Sequence, residues 1–188
     1  MTLHLLIPGL LGPGSADGVV PQAPALEWLL ARADIVEVPL SVDAVLFEQF
    51  CLSIPTETNV PTAAVMARAD GGEPDDGWWL RADPVHLRPD QRGVFLVDAR
   101  ALAIEPVEAA ALTTAFDHTF AADGLRLYAP HPERWYLRLP DDPGLYTYPL
   151  VDAIGRDINP LLPHGPNARR WHTLLTEAQM LFHAHPIN

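Results

Sequence analysis

Leu125-Arg126-Leu127-Tyr128-Ala129-Pro130-His131-Pro132-Glu133-Arg134-Trp135-Tyr136-Leu137-Arg138-Leu139 is the stretch that decides how this chain folds. Leu125–Tyr128 and Arg134–Leu139 read as two strands, with Ala129-Pro130-His131-Pro132 as the proline-rich turn between them. Upstream, residues 105–121 predict a helix. Pro106 stands in its first turn, Ala109, Leu112, Phe116 and Phe120 share one face, and Gly124 lies beyond its end. Further back, Trp78–Ala82 and Gly93–Val97 read as two more strands, with Asp83–Arg92 as their connection. Downstream, a loop rich in Asp and Pro leads to Gly165-Pro166 and a last helix. There Trp171, Leu174, Leu175, Ala178, Leu181 and Phe182 recur at i, i+3, i+4 and i+7, the strongest periodic signal in the chain. Strands interleaved with helices predict an α/β class, with α+β as the open alternative: a mixed sheet flanked by helices in a single domain.

The remaining N-terminal part, residues 1–75, reads as helix-rich. Residues 3–7 predict a buried first strand closed by Pro8-Gly9, and 9–18 a glycine-rich loop. Leu26, Leu29 and Leu30 mark a helix over 24–33, and 35–39 a short strand. Asp43 is placed to cap a second helix through Cys51, with Val45, Leu46, Gln49 and Phe50 on successive turns. A third short helix spans 60–69, and a polar loop runs from Asp70 to Gly77.

Composition narrows the function. A chain of 188 residues with 48% hydrophobic and 19% charged residues can bury a real core. Its net charge of −12 argues against nucleic acid, whose phosphates demand a basic footprint, and against anionic membrane surfaces. No apolar run approaches the ~20 residues of a membrane span. The first seven residues carry no basic leader, and one cysteine leaves no internal disulfide; both set a cytoplasmic expectation. All 12 basic residues are arginine, so any phosphate or carboxylate site must rely on Arg, His or backbone N–H groups.

The individual motifs divide between chemistry and structure. The loop 9–18 sits where phosphate loops sit, but it has no G-K-[ST] ending and its glycines do not fit G-x-G-x-x-G. Ser15 lacks a nucleophile elbow because Pro13 takes the place of its first glycine. Cys51 falls on the apolar side of its helix as a small core residue. His183 and His185 are two apart and cannot share a metal as an i, i+4 pair could. Asp83 with His86, and Asp117 with His118, put carboxylate beside imidazole at no known ligand spacing. Arg81 and His86, at the end of an apolar strand, can reach into a cleft; the alternative is an Arg81–Asp83 turn with the tryptophans in the core. Arg134, beside Trp135 and Tyr136, is either an anion clamp or a stacked surface arginine.

From Arg81 onward the order of motifs resembles the middle portion of archaeal-type cofactor-independent phosphoglycerate mutases, members of the alkaline-phosphatase superfamily. Arg81-Ala82-Asp83-Pro84-Val85-His86 stands where that family opens a strand motif with arginine. Glu105-Pro106-Val107-Glu108-Ala109-Ala110 is similar to its Glu-Glu-Ala helix start. Leu125–Tyr128, Arg134–Leu137 and Leu161-Leu162-Pro163-His164-Gly165 follow in the family's order, and His185-Pro186-Ile187-Asn188 resembles its His-Pro-Val-Asn. The chain is also similar to a bacterial family labelled phosphoglycerate mutase-like or regulatory. In both families the chain runs on past this motif, which implies that Asn188 ends a truncated form or a fragment. The resemblance covers about 110 residues, and 76–188 is taken as the mutase-like part.

The resemblance implies a substrate-holding region, with Arg81, His86, Arg134 and His164 as candidate binding residues; His164 stands where the family has lysine. It does not carry over the catalysis. The family's first strand delivers an aspartate ligand to a pair of metal ions, whereas here Leu6-Ile7-Pro8-Gly9 brings no acid before Asp17. The nucleophilic Ser or Thr has no counterpart. The expectation is a degenerate domain with no catalytic residues and no cofactor, binding a small phosphorylated or carboxylated ligand or acting as a regulator. One alternative is a Mn- or Zn-dependent mutase or phosphotransferase whose catalytic part is absent from this chain. The other is a structural domain that binds a protein partner.

Overall fold

The computed structural model describes Leu6, residues 22–34, 42–50, Leu52 and 60–187. The strands expected at 3–7 and 35–39, the loop 9–18 and Cys51 lie outside the described residues. The chain divides into two compact units, Met1–Pro55 and Thr56–Asn188.

The first unit contributes two described helices, α1 (Pro24–Leu30) and α2 (Val42–Gln49). Pro24 opens α1, where its missing N–H costs nothing. Past the end of α1, the Arg32 guanidinium lies 4.2 Å from the centre of the Trp28 ring. Asp43 sits inside the first turn of α2 rather than at its cap, a position the helix dipole still favours. Ala44 is the buried residue of α2, while Leu46 and Phe50, expected on its apolar side, are exposed.

The second unit begins with α3 (Thr62–Ala69), so the third expected helix belongs with the strands after it. Next come β1 (Trp78–Arg81), β2 (His86–Asp90), β3 (Gly93–Val97) and α4 (Pro106–Thr119). After them run β4 (Arg126–His131), β5 (Arg134–Leu139), the single turn α5 (Leu150–Ala153) and α6 (Ala168–Ala184). One sheet has the order β1-β5-β4 and the other pairs β2 with β3. Every described strand pair is antiparallel, the α+β form of the expected helix-and-strand class.

Alternation along the central strand β5 assigns the two faces of the larger sheet. Trp135, Leu137 and Leu139 point to the main core, where Leu125, Leu127, Ala109, Phe116, Phe120 and Trp171 join them. Helix α4 supplies Ala109 and Phe116, and its C-cap Phe120 follows on the same face, while Glu108 accepts a hydrogen bond from the Glu105 N–H at 2.8 Å at its start. Helix α6 lays Trp171, Leu174, Ala178, Leu181 and Phe182 on this core, but Leu175 is 47% exposed and belongs to the outer side. The hairpin β2–β3 builds a smaller cluster from Leu96, Ala153 and Leu161. There the Ile158 N–H donates to the Val94 carbonyl at 2.8 Å, and a Cβ at Gly93 would meet the Asp157 carboxylate at 2.9 Å.

Candidate functional site

The other face of the larger sheet is polar. Cross-strand pairing sets Arg81 opposite Tyr136 and Trp79 opposite Arg138. Across β4 and β5 the pairs are Tyr128 with Tyr136 and Arg126 with Arg138. The result is a surface of alternating arginines and aromatic rings. Helix α3 packs on it through Ala63 and Ala67, which meet Tyr136 and Trp79 in a small apolar cluster. Alanines allow the helix backbone to come close, and Gly72 continues that approach: a Cβ there would stand 3.0 Å from the Tyr128 ring.

Three arginines of this face each hold a carboxylate. Arg134 grips Asp70 with its fork, Nε to Oδ2 at 2.8 Å and Nη2 to Oδ1 at 2.7 Å. The Tyr136 hydroxyl donates to the same Oδ2 at 2.6 Å. The Tyr136 hydrogen bond and then the Arg134 guanidinium hold the Asp70 carboxyl below its ordinary pKa. Burial, reinforced by the Asp70 charge, pushes the Tyr136 phenol up to about 12. Arg81 binds Asp83 at 3.2 and 2.5 Å, and its guanidinium lies 5.4 Å from the centre of the Tyr136 ring. Asp83 also accepts the Trp135 N–H at 3.0 Å, which ties it into the sheet. Arg138 holds Asp75, whose carboxyl it keeps below the usual range. The buried indole N–H of Trp79 lies outside hydrogen-bonding geometry, although near enough to Asp75 to help lower it.

The four residues singled out from sequence therefore occupy three places. Arg81 and Arg134 meet around Tyr136. His86 opens β2 in the second sheet, opposite Val97, and is exposed. His164 bridges to Tyr146, with its ring 5.4 Å from that of Tyr146 and 5.8 Å from that of Tyr148. Of the two readings of Arg81, the Arg81–Asp83 pair is present, but the tryptophans beside it are not in the core: Trp78 is 42% exposed and Trp79 half-buried. Arg134 holds an internal carboxylate, that of Asp70. Asp117 is a fastener: it accepts the Leu127 N–H at 2.7 Å and so ties α4 to β4. Among the described residues no group of three or more His, Cys, Asp or Glu side chains is placed to hold a metal ion. No described helix is long and apolar enough to cross a membrane.

Sequence reasoning missed Asp70 and Tyr136. Asp70 lies 64 residues before Arg134, in what reads as a polar loop, and Tyr136 looks like one more strand aromatic. A second feature also had no local signal. Leu125, Leu139, Trp171 and Leu174 floor an open groove of about 410 Å³ whose rim carries Asp123, Asp141, Asp142, Arg170 and Glu177. Comparison with protein-family models, with curated proteins and with solved structures found no match.

Proposed function

We propose that this chain is a degenerate phosphoglycerate mutase-like domain that binds a small phosphorylated or carboxylated ligand and acts as a regulator rather than a catalyst. One observation carries the reading. The Arg134 fork and the Tyr136 hydroxyl, both on the central strand, converge on a single carboxylate. A guanidinium and a phenol that grip one carboxylate offer the same donors to a phosphate or carboxylate brought from outside. The phenol keeps its proton far above neutral pH, so it stays a donor. Arg81 adds positive charge beside the Tyr136 ring, while its own fork is committed to Asp83. His86 and His164, on other elements, have no part in this site. A cytoplasmic setting fits a chain with one cysteine and a net charge of −12.

Calorimetry with 3-phosphoglycerate and with inorganic phosphate tests this. Saturable heat is expected, abolished by Arg134→Ala in a chain that circular dichroism shows to be folded, and only reduced by Arg81→Ala. Absence of heat for both ligands, in the wild type and in Asp70→Asn alike, would reject the reading, and chelator-sensitive turnover with Mn²⁺ or Zn²⁺ would reject its non-catalytic half. A second reading, a domain that binds a protein partner, draws on the groove beside α6, whose acidic rim surrounds an apolar floor.

A further inference from the structure

Resting on the anion-binding reading above, we infer that Asp70 is a built-in competitor for the ligand, and that α3 is a lid that must lift from the sheet before an outside oxyanion can bind. Both Asp70 oxygens are engaged, one by each arm of the Arg134 fork, and the phenol closes on Oδ2. A phosphate can take those donors only if the carboxylate leaves.

The carboxylate stands outside the strand pairing of the sheet. Asp70 is the C-cap of α3, and nothing in the sheet depends on its backbone for pairing. An acid there faces the negative end of the helix dipole, an unfavourable position that Arg134 offsets. Besides Asp70, the helix is held by small residues and by one weak sulfur contact, the Arg81 Nη1–H to Met66 Sδ at 3.0 Å. Ala63 and Ala67 are its buried side chains, while Val65 is 54% and Met66 36% exposed. Directly after it, Gly71 takes φ +84 with open space around its Cβ direction, which suits a pivot. Asp83 differs in kind. It also accepts the Trp135 N–H, so moving its carboxylate away from Arg81 would leave a part-buried backbone donor without that acceptor. Arg134 is thus the gated cation and Arg81 the fixed one.

A tethered carboxylate acts at a high effective concentration, so the intact chain should bind free anions weakly and a chain without that charge should bind them well. Asp70→Asn keeps the shape and an acceptor for the Tyr136 hydroxyl while removing the charge. In titrations of the full chain with inorganic phosphate, Asp70→Asn should bind at least tenfold more tightly than wild type. Asp70→Asn with Arg134→Gln should lose that gain. Equal affinity in wild type and Asp70→Asn, still dependent on Arg134, would overturn the lid and leave the anion site standing. No binding to either chain would remove the site and the lid together. If Asp70→Asn fails to fold, hydrogen exchange on the wild type decides. Phosphate at saturation should speed exchange of the α3 amides, and unchanged exchange would overturn the lid.

Discussion

At the scale of single residues, the Asp70–Tyr136 hydrogen bond couples two proton equilibria to folding in opposite pH ranges. Tyr136 has a folded pKa of about 12 against an ordinary 10.0, so the folded chain keeps a proton that the unfolded chain has begun to lose. Its contribution is complete below pH 10.0 and lost as the pH rises through about 12. Asp70 runs the other way. Its folded pKa lies below the ordinary 3.8, so its contribution is present above that value and lost as the pH falls through the lowered one. Tyr136→Phe should therefore cost about 1 kcal/mol at neutral pH, the net worth of one ordinary hydrogen bond. It should also flatten the alkaline loss of stability. Denaturant unfolding at several pH values measures both. Phenolate absorbance should show one tyrosine of the wild type titrating late, and that late step should be missing from the variant.

At the scale of elements, β5 carries the fold, because one face builds the main core and the other holds the arginine clamps. Trp135 is 2% exposed, stands edge-on to Phe182 of α6 at 6.1 Å, and donates its indole N–H to the Pro132 carbonyl. Trp135→Ala should cost about 3–5 kcal/mol, the range for emptying a large aromatic site in a core. Leu175→Ala on α6 should stay within about 0.5 kcal/mol, because that side chain faces outward. Urea midpoints of the two variants make the contrast. The 125–139 hairpin and helices α4 and α6 were legible because their apolar residues recur with the period of the element that buries them. Strand β2 was not, since Pro84 and Pro89 make His86–Asp90 read as a connection. Pro89 is tolerated there because, among the described residues, β2 pairs with β3 alone and needs no donor on its outer edge. Pro130 hid the end of β4 in the same way; the strand runs on to His131 through an irregularity after Tyr128.

At the scale of the molecule, the organisation turns on aspartates that sequence spacing cannot connect to their partners. Arg81 and Arg134 stood out because an arginine beside strand aromatics is conspicuous. Asp70 and Asp75 did not, because their partners lie 64 and 63 residues away and only the folded sheet brings them together. The polar stretch 70–77 therefore reads as a loop, with the start of the mutase-like part, residue 76, inside it. In the structure it is a fastener, and the division falls at Pro55, with α3 on the side of the sheet. The two boundaries predict different behaviour for two fragments. Residues 56–188 keep α3, the three apolar clusters of the described residues and the Asp70 and Asp75 pairs, so they should unfold in one cooperative urea transition. Residues 76–188 lose both carboxylates, leaving Arg134 and Arg138 without those partners, and they uncover Tyr136 and Trp79. Hydrogen bonds to charged groups are each worth about 1.5–3 kcal/mol when part-buried, and less when exposed as Asp75 is. The shorter fragment should thus be less stable by about 2 kcal/mol or more, with Trp79 fluorescence shifted toward that of a solvated indole. Equal midpoints for the two fragments would place the boundary at 75 and make α3 an accessory to the sheet rather than part of it.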